Sequence, residues 1–120
     1  MTTLEYILIA AKGLRDLGAP YHDRAATLYE LSTNHPDTTP LDIFDAAEGL
    51  RDLGTQYHDR AATLYELLTN HLTKTPRDIS SAAHALKVLG AQHPENSPER
   101  LRYISMADDL WKKHGLTEQR

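Results

Sequence analysis

Seven histidines in a chain of 120 residues are the side chains with the most evident capacity for chemistry, as metal ligands or as proton carriers near neutral pH. Their spacing argues against both on any single element. The nearest pair, His84 and His93, lies nine residues apart, so no helix alone turns two imidazoles to one face. His22 recurs as His58 and His35 as His71, and we read all of them as structural or solvated. The string His22-Asp23-Arg24, copied as His58-Asp59-Arg60, brings acid and base types together in sequence only. Neighbours on a helix point about 100° apart and do not face one another. No GxSxG, glycine-rich phosphate loop or HExxH occurs. The absence of cysteine removes thiol catalysis, thiolate zinc sites and disulfides. No catalytic residue, metal or cofactor is therefore assigned, and the chain is read as a non-enzyme.

A second group of polar residues is spaced for recognition. Lys12 and Arg15, Glu48 and Arg51, and His84 and Lys87 repeat at a step of 36 residues, so helices stacked in register would line them up on one wall. Such a wall suits an acidic peptide or a carboxylate terminus, with Glu48 as an interruption. The formal charge of −4 and a pI near 5.9 count against nucleic acid, whose phosphates call for a basic stripe. The longest uncharged apolar stretch, residues 6–11, is too short to span a bilayer, and Glu5 stands where a signal peptide would be basic. A cytoplasmic protein bound to neither membrane nor nucleic acid is expected.

These side chains are positioned by a tandem repeat. Residues 10–45 and 46–81 are identical at 26 of 36 positions, and a divergent third copy begins at Ala82. A period of this length is the signature of stacked units that bury their apolar faces against their neighbours. Thr39-Pro40-Leu41-Asp42 and Thr75-Pro76-Arg77-Asp78 combine an N-cap, a first-turn proline and a first-turn acid; Thr3 is the matching position of the first copy. Apolar residues at spacings of three and four follow, up to Gly18, Gly54 and Gly90, each suited to end a helix with positive φ. First helices are expected over about 4–17, 40–53 and 76–89.

Second helices should start about two residues later, opened by Pro20 or capped by Thr55. They bury Tyr21, Ala25, Leu28 and Leu31, or Tyr57, Ala61, Leu64 and Leu67, and leave Asp23, Thr27, Glu30 and Asn34 wet. In the third copy a longer loop, 91–97, precedes a helix from about 98 to 114. The expected fold class is all-α: three stacked helix-turn-helix repeats with six helices, in a single domain over 1–120. The repeats span about 3–36, 39–72 and 75–115. Tyr21, Tyr57, Leu28, Leu64, Leu50, Leu86, Leu110 and Trp111 should form the core. Leu8 and Ile9 leave the first helix apolar on more of its surface than a free end needs, so a homodimer through that end, or a longer array, is expected as an alternative.

Identity between the copies extends to Arg15, Asp16, Asp23, Glu30 and Asn34, which no core needs. This reads as recent duplication or deliberate copying, and an engineered or structural scaffold with no evolved ligand stands beside the binding-module reading. The paired helices, the small residues Gly13 and Gly49 facing Ala25 and Ala61, the aromatics Tyr29 and Tyr65, and Pro36, Pro40 and Pro76 near the turns resemble the tetratricopeptide-repeat superfamily. That resemblance implies a short right-handed α-solenoid. It also implies that the wall of first helices holds a protein or peptide partner.

Overall fold

The computed structural model describes residues 2–115; Met1 and residues 116–120 of the expected domain lie outside that range. The described residues form six α-helices: α1 Thr3–Asp16, α2 His22–Ser32, α3 Pro40–Leu53, α4 His58–Thr69, α5 Pro76–Ala91 and α6 Pro98–Lys113. No strand occurs among the described residues. The closest contacts lie within the hairpins α1·α2, α3·α4 and α5·α6. Next come the junctions α2·α3 and α4·α5, with lighter contacts of α1 on α3 and α3 on α5. Each hairpin therefore packs on the next in chain order, as a helical repeat requires.

The helix starts follow from local chemistry. Thr39 and Thr75 each accept the backbone N–H three residues on, and Asp42 and Asp78 return the bond to the cap's own N–H, closing two capping boxes. In the first copy the cap is Thr2 and not Thr3. Tyr6 stands where Asp42 does and cannot reciprocate, so the register moves back one residue to Thr2, which accepts from Glu5 N–H at 3.2 Å. Thr55 caps nothing. Residues 19–21 and 55–57 form 3-10 turns, and the second helices begin only at His22 and His58.

Gly18 and Gly54 take φ of 110° and 135° in the tight reversals, where a side chain would be strained. Gly90 does not end its helix. It lies inside α5, and a Cβ there would come within 3.2 Å of Ile104 Cγ1 and 3.3 Å of the Arg100 carbonyl. Its small size lets α6 cross closely, and the helix runs on to Ala91.

The core holds Tyr57, Leu50, Leu64, Leu86, Leu110 and Trp111 as expected, around fully buried alanines including Ala25, Ala46, Ala61 and Ala82. Tyr29, Tyr65 and Tyr103 are its largest wholly buried side chains. Tyr21, Leu31 and Leu67 are exposed and Leu28 is only half-buried. The buried side of α2 is centred on Ala25, Ala26, Tyr29 and Ser32, which turns Leu31 outward. Tyr21 is exposed for a different reason, taken up below.

Candidate functional site

The six residues of the expected wall are drawn largely into contacts within the chain. Glu48 Oε1 accepts the Tyr65 hydroxyl at 2.6 Å, and its other oxygen pairs with Arg51 at 2.5 Å. Arg51 also reaches Asp52 at 3.7 Å, and Arg15 pairs with Asp16 at 3.2 Å. Lys87 sits 4.6 Å above the Trp111 ring and 4.0 Å from Asp108. Lys12 and His84 are exposed, with the charge of Lys12 felt by Asp45 of the second hairpin. The wall thus carries both signs of charge, mutually compensated. Of the two residues expected to mediate self-association, Leu8 packs against the core and Ile9 is exposed.

A different polar set joins the hairpins. The Tyr57 hydroxyl donates to Asp23 Oδ1 at 2.5 Å, and one repeat later the Tyr103 hydroxyl donates to Asp59 Oδ1 at 2.5 Å. Arg60 pairs with Glu30, and Arg102 with Asp59. The bond from Tyr103, with Arg102 beside it, holds the Asp59 carboxyl below its ordinary range, and burial together with the bond to Asp59 pushes the Tyr103 hydroxyl up. Asp23 is therefore shared between copies as Asp59 for a physical reason: each accepts the tyrosine hydroxyl through which one hairpin fixes the next, whereas Glu30 pairs with Arg60 and its copy Glu66 makes no such pair among the described residues.

The apolar part of this junction also departs from expectation. Gly49 does not face a small residue. A Cβ on it would lie 2.6 and 2.8 Å from Cε1 and Cε2 of Tyr29, and closer still to Cζ, so the ring of the first hairpin occupies the space that a side chain at position 49 would need. The equivalent ring, Tyr65, reaches Glu48, but the first repeat has Lys12 in that place. The Tyr29 hydroxyl is left buried without a hydrogen-bond partner, and burial raises its pKa.

The matching face of the first hairpin is uncovered. Leu17 is 64% exposed where Leu53 is 6%, and Tyr21 is 38% exposed where Tyr57 is 4%. Ala10 is exposed and Ala46 fully buried. A Cβ on Gly13 would meet nothing within 4 Å. Tyr21 and Arg24 are the counterparts of the donors Tyr57 and Arg60, and the side chain of neither has a hydrogen-bond or ion-pair partner among the described residues. Beside them Leu14, Asp23, Arg24, Thr27 and Leu28 line an open apolar groove of about 430 Å³. Five positions that a neighbour occupies in the second repeat thus stand ready and empty in the first.

The histidines are brought together once. His58, buried, places Nδ1 2.8 Å from Nε2 of His93, which also lies 5.4 Å from the Tyr103 ring. Burial and then the charge of His93 lower the His58 pKa, against a smaller opposing effect from the Arg51 carbonyl. Spacing within the repeat could not reveal this pair, because His93 sits in the extra loop of the third copy. Asp59, His93, Glu99 and Tyr103 line a shallow depression there, but Asp59 and Tyr103 are already spent on one another. Among the described residues no three histidine, aspartate or glutamate side chains converge to hold a metal ion. No helix among them is long and apolar enough to cross a membrane. Compared with models of protein families, with curated proteins and with solved structures, the chain finds no match.

Proposed function

We propose that this chain is a non-enzymatic, tetratricopeptide-like repeat scaffold that docks a protein or peptide partner on its first hairpin. One observation carries the reading: Ala10, Gly13, Leu17, Tyr21 and Arg24 repeat residues that are covered in the second repeat, yet stand bare in the first. Burying Leu17 as Leu53 is buried removes most of a leucine side chain from water, worth about 1.5 to 3 kcal/mol before ordering costs. Exposed apolar residues clustered in this way mark interaction surfaces. The wall of first helices supports the reading less well, since its charges are compensated within the chain.

The experiment compares partners retained by the wild-type chain with those retained by Leu17→Glu, which changes an exposed residue and leaves the core intact. A partner held by the first and lost by the second supports docking at this face. Retention indifferent to Leu17 and abolished by Arg51→Ala together with His84→Ala moves the site to the first-helix wall. Light scattering addresses a homodimer, for which Tyr6 and Ile9 are the exposed apolar residues.

A further inference from the structure

The junction between the first and second hairpins shows what an occupant of the empty face must offer, and on that basis we propose that the partner contributes an amphipathic helix with two carboxylates seven residues apart, paired small residues between them, and an aromatic ring just before the second carboxylate. The inference deepens the docking reading above and rests on it. In α2 this pattern is Asp23, Ala25-Ala26, Tyr29 and Glu30. The two acids and the ring each have a defined receiver on the second hairpin: Asp23 accepts from Tyr57, Glu30 pairs with Arg60, and Tyr29 lies on Gly49. The receivers reappear on the first hairpin as Tyr21, Arg24 and Gly13.

Charge complementarity selects this occupant over a second copy of the chain. The pattern occurs in α2, whose carboxylates and ring are already engaged by the second hairpin. In α4, Asp59 is taken by Tyr103 and Arg102. In α6 the two acids are replaced by Ser105 and Lys112, so that helix would set Lys112 against Arg24. Among the described residues no helix offers both acids free. A helix from another protein, laid into the groove with its carboxylates on Tyr21 and Arg24, satisfies every position.

Gly13 makes the claim testable without unfolding the protein. A methyl group there meets open space in the free chain and should strengthen α1 slightly, but it would occupy the place of the incoming ring. The probe is a helix-stabilised, fluorescently labelled peptide of residues 19–35, titrated by anisotropy against the full chain. We expect saturable binding, at least tenfold weaker to Gly13→Ala, and severalfold weaker when the peptide carries Asp23→Asn with Glu30→Gln or when salt is raised. Binding that survives both Gly13→Ala and loss of the acids, yet falls with Leu17→Glu, overturns the partner chemistry and leaves docking at this face standing. No binding of any such helix, together with no Leu17-dependent partner, overturns both. Concentration-dependent dimers abolished by Gly13→Ala would make the occupant a second copy and overturn the proposal. Binding lost with Gly49→Ala but not Gly13→Ala would show displacement of α2 and would overturn it as well.

Discussion

The same substitution at two equivalent glycines should move stability in opposite directions. At Gly13, alanine adds a methyl group to an exposed helical position with nothing within 4 Å, so only helix propensity acts, stabilising by about 0.5 to 1 kcal/mol. At Gly49 the propensity gain is the same, but the methyl group would overlap the Tyr29 ring, with Cε1 and Cε2 at 2.6 and 2.8 Å. Tyr29 is 1% exposed and has no solvent to retreat into. Overpacking of this kind costs about 1 to 3 kcal/mol.

Subtracting one variant from the other cancels propensity and leaves the overlap alone. The two should therefore differ by about 1 to 3 kcal/mol in urea unfolding, with Gly13→Ala the more stable. For a chain of this size that is roughly 3 to 18 °C in Tm. Adding Lys12→Glu to Gly49→Ala should recover part of the loss, by giving the Tyr29 hydroxyl the acceptor that Glu48 gives Tyr65 beside Ala85. Equal shifts of the same sign at Gly13 and Gly49 would refute the reasoning, because they would mean that no ring covers Gly49.

The two buried tyrosines give a matching contrast. Tyr65→Phe loses a hydrogen bond to a carboxylate and should destabilise by about 1 to 2 kcal/mol, whereas Tyr29→Phe removes an unsatisfied hydroxyl and should be neutral or stabilising, both read from chemical denaturation. Tyr57→Phe should cost about 1 kcal/mol, and a double-mutant cycle with Asp23→Asn should show coupling. The fold holds His58 neutral more firmly than the unfolded chain does, so protonation opposes folding. Stability should be level above the unfolded value near pH 6.5 and fall as pH drops below it, and His58→Gln should flatten that fall in urea midpoints taken from pH 7.5 to 5. Asp59, lowered by Tyr103, contributes stability that is lost only further into acid. Placing acids back on α6, as Ser105→Asp with Lys112→Glu, should produce concentration-dependent association by light scattering, and a monomer at all concentrations would contradict the polarity of the junction.

The fold was legible because its determinants are local or periodic. Thr39-Pro40 and Thr75-Pro76 state where helices begin, Gly18 and Gly54 state where the chain reverses, and the 36-residue period says that what happens once happens again. The places where expectation failed depend on what lies outside the residue's own helix. Exposure of Tyr21 and coverage of Tyr57 depend on what lies before each repeat, which a residue's own periodicity does not encode. Leu31 and Leu67 occupy apolar-looking positions, but α2 and α4 are sandwiched between first helices and turn their alanine and tyrosine stripe to both sides. The His58–His93 pair lay beyond reach because one partner comes from an insertion with no counterpart in the other copies. Identity at exposed positions carried the junction's signal in Asp23 and Asp59, each of which accepts a tyrosine hydroxyl from the next hairpin, but it could not be told from plain duplication, since Arg15, Asp16 and Asn34 are repeated as well.

The junction has a direction, and the direction explains how the two ends differ. The first two hairpins offer carboxylates on the side facing their successors, and the second and third answer with hydroxyl and guanidinium donors on the side facing their predecessors. Identical units joined this way form a heterologous contact that does not close on itself, and a stack finished with such a unit would go on adding copies. The third hairpin prevents this at its outer side by substitution: Ser105 and Lys112 replace the acceptors, and Lys87 is folded over Trp111 with Asp108 nearby. Removing acceptors from one end is sufficient, since a donor face is inert toward copies that have no acceptor face left. The first hairpin can then keep Gly13, Leu17, Tyr21 and Arg24 open without the chain polymerising. On the docking reading proposed above, this receiving half of the junction is the surface that a different partner would cover.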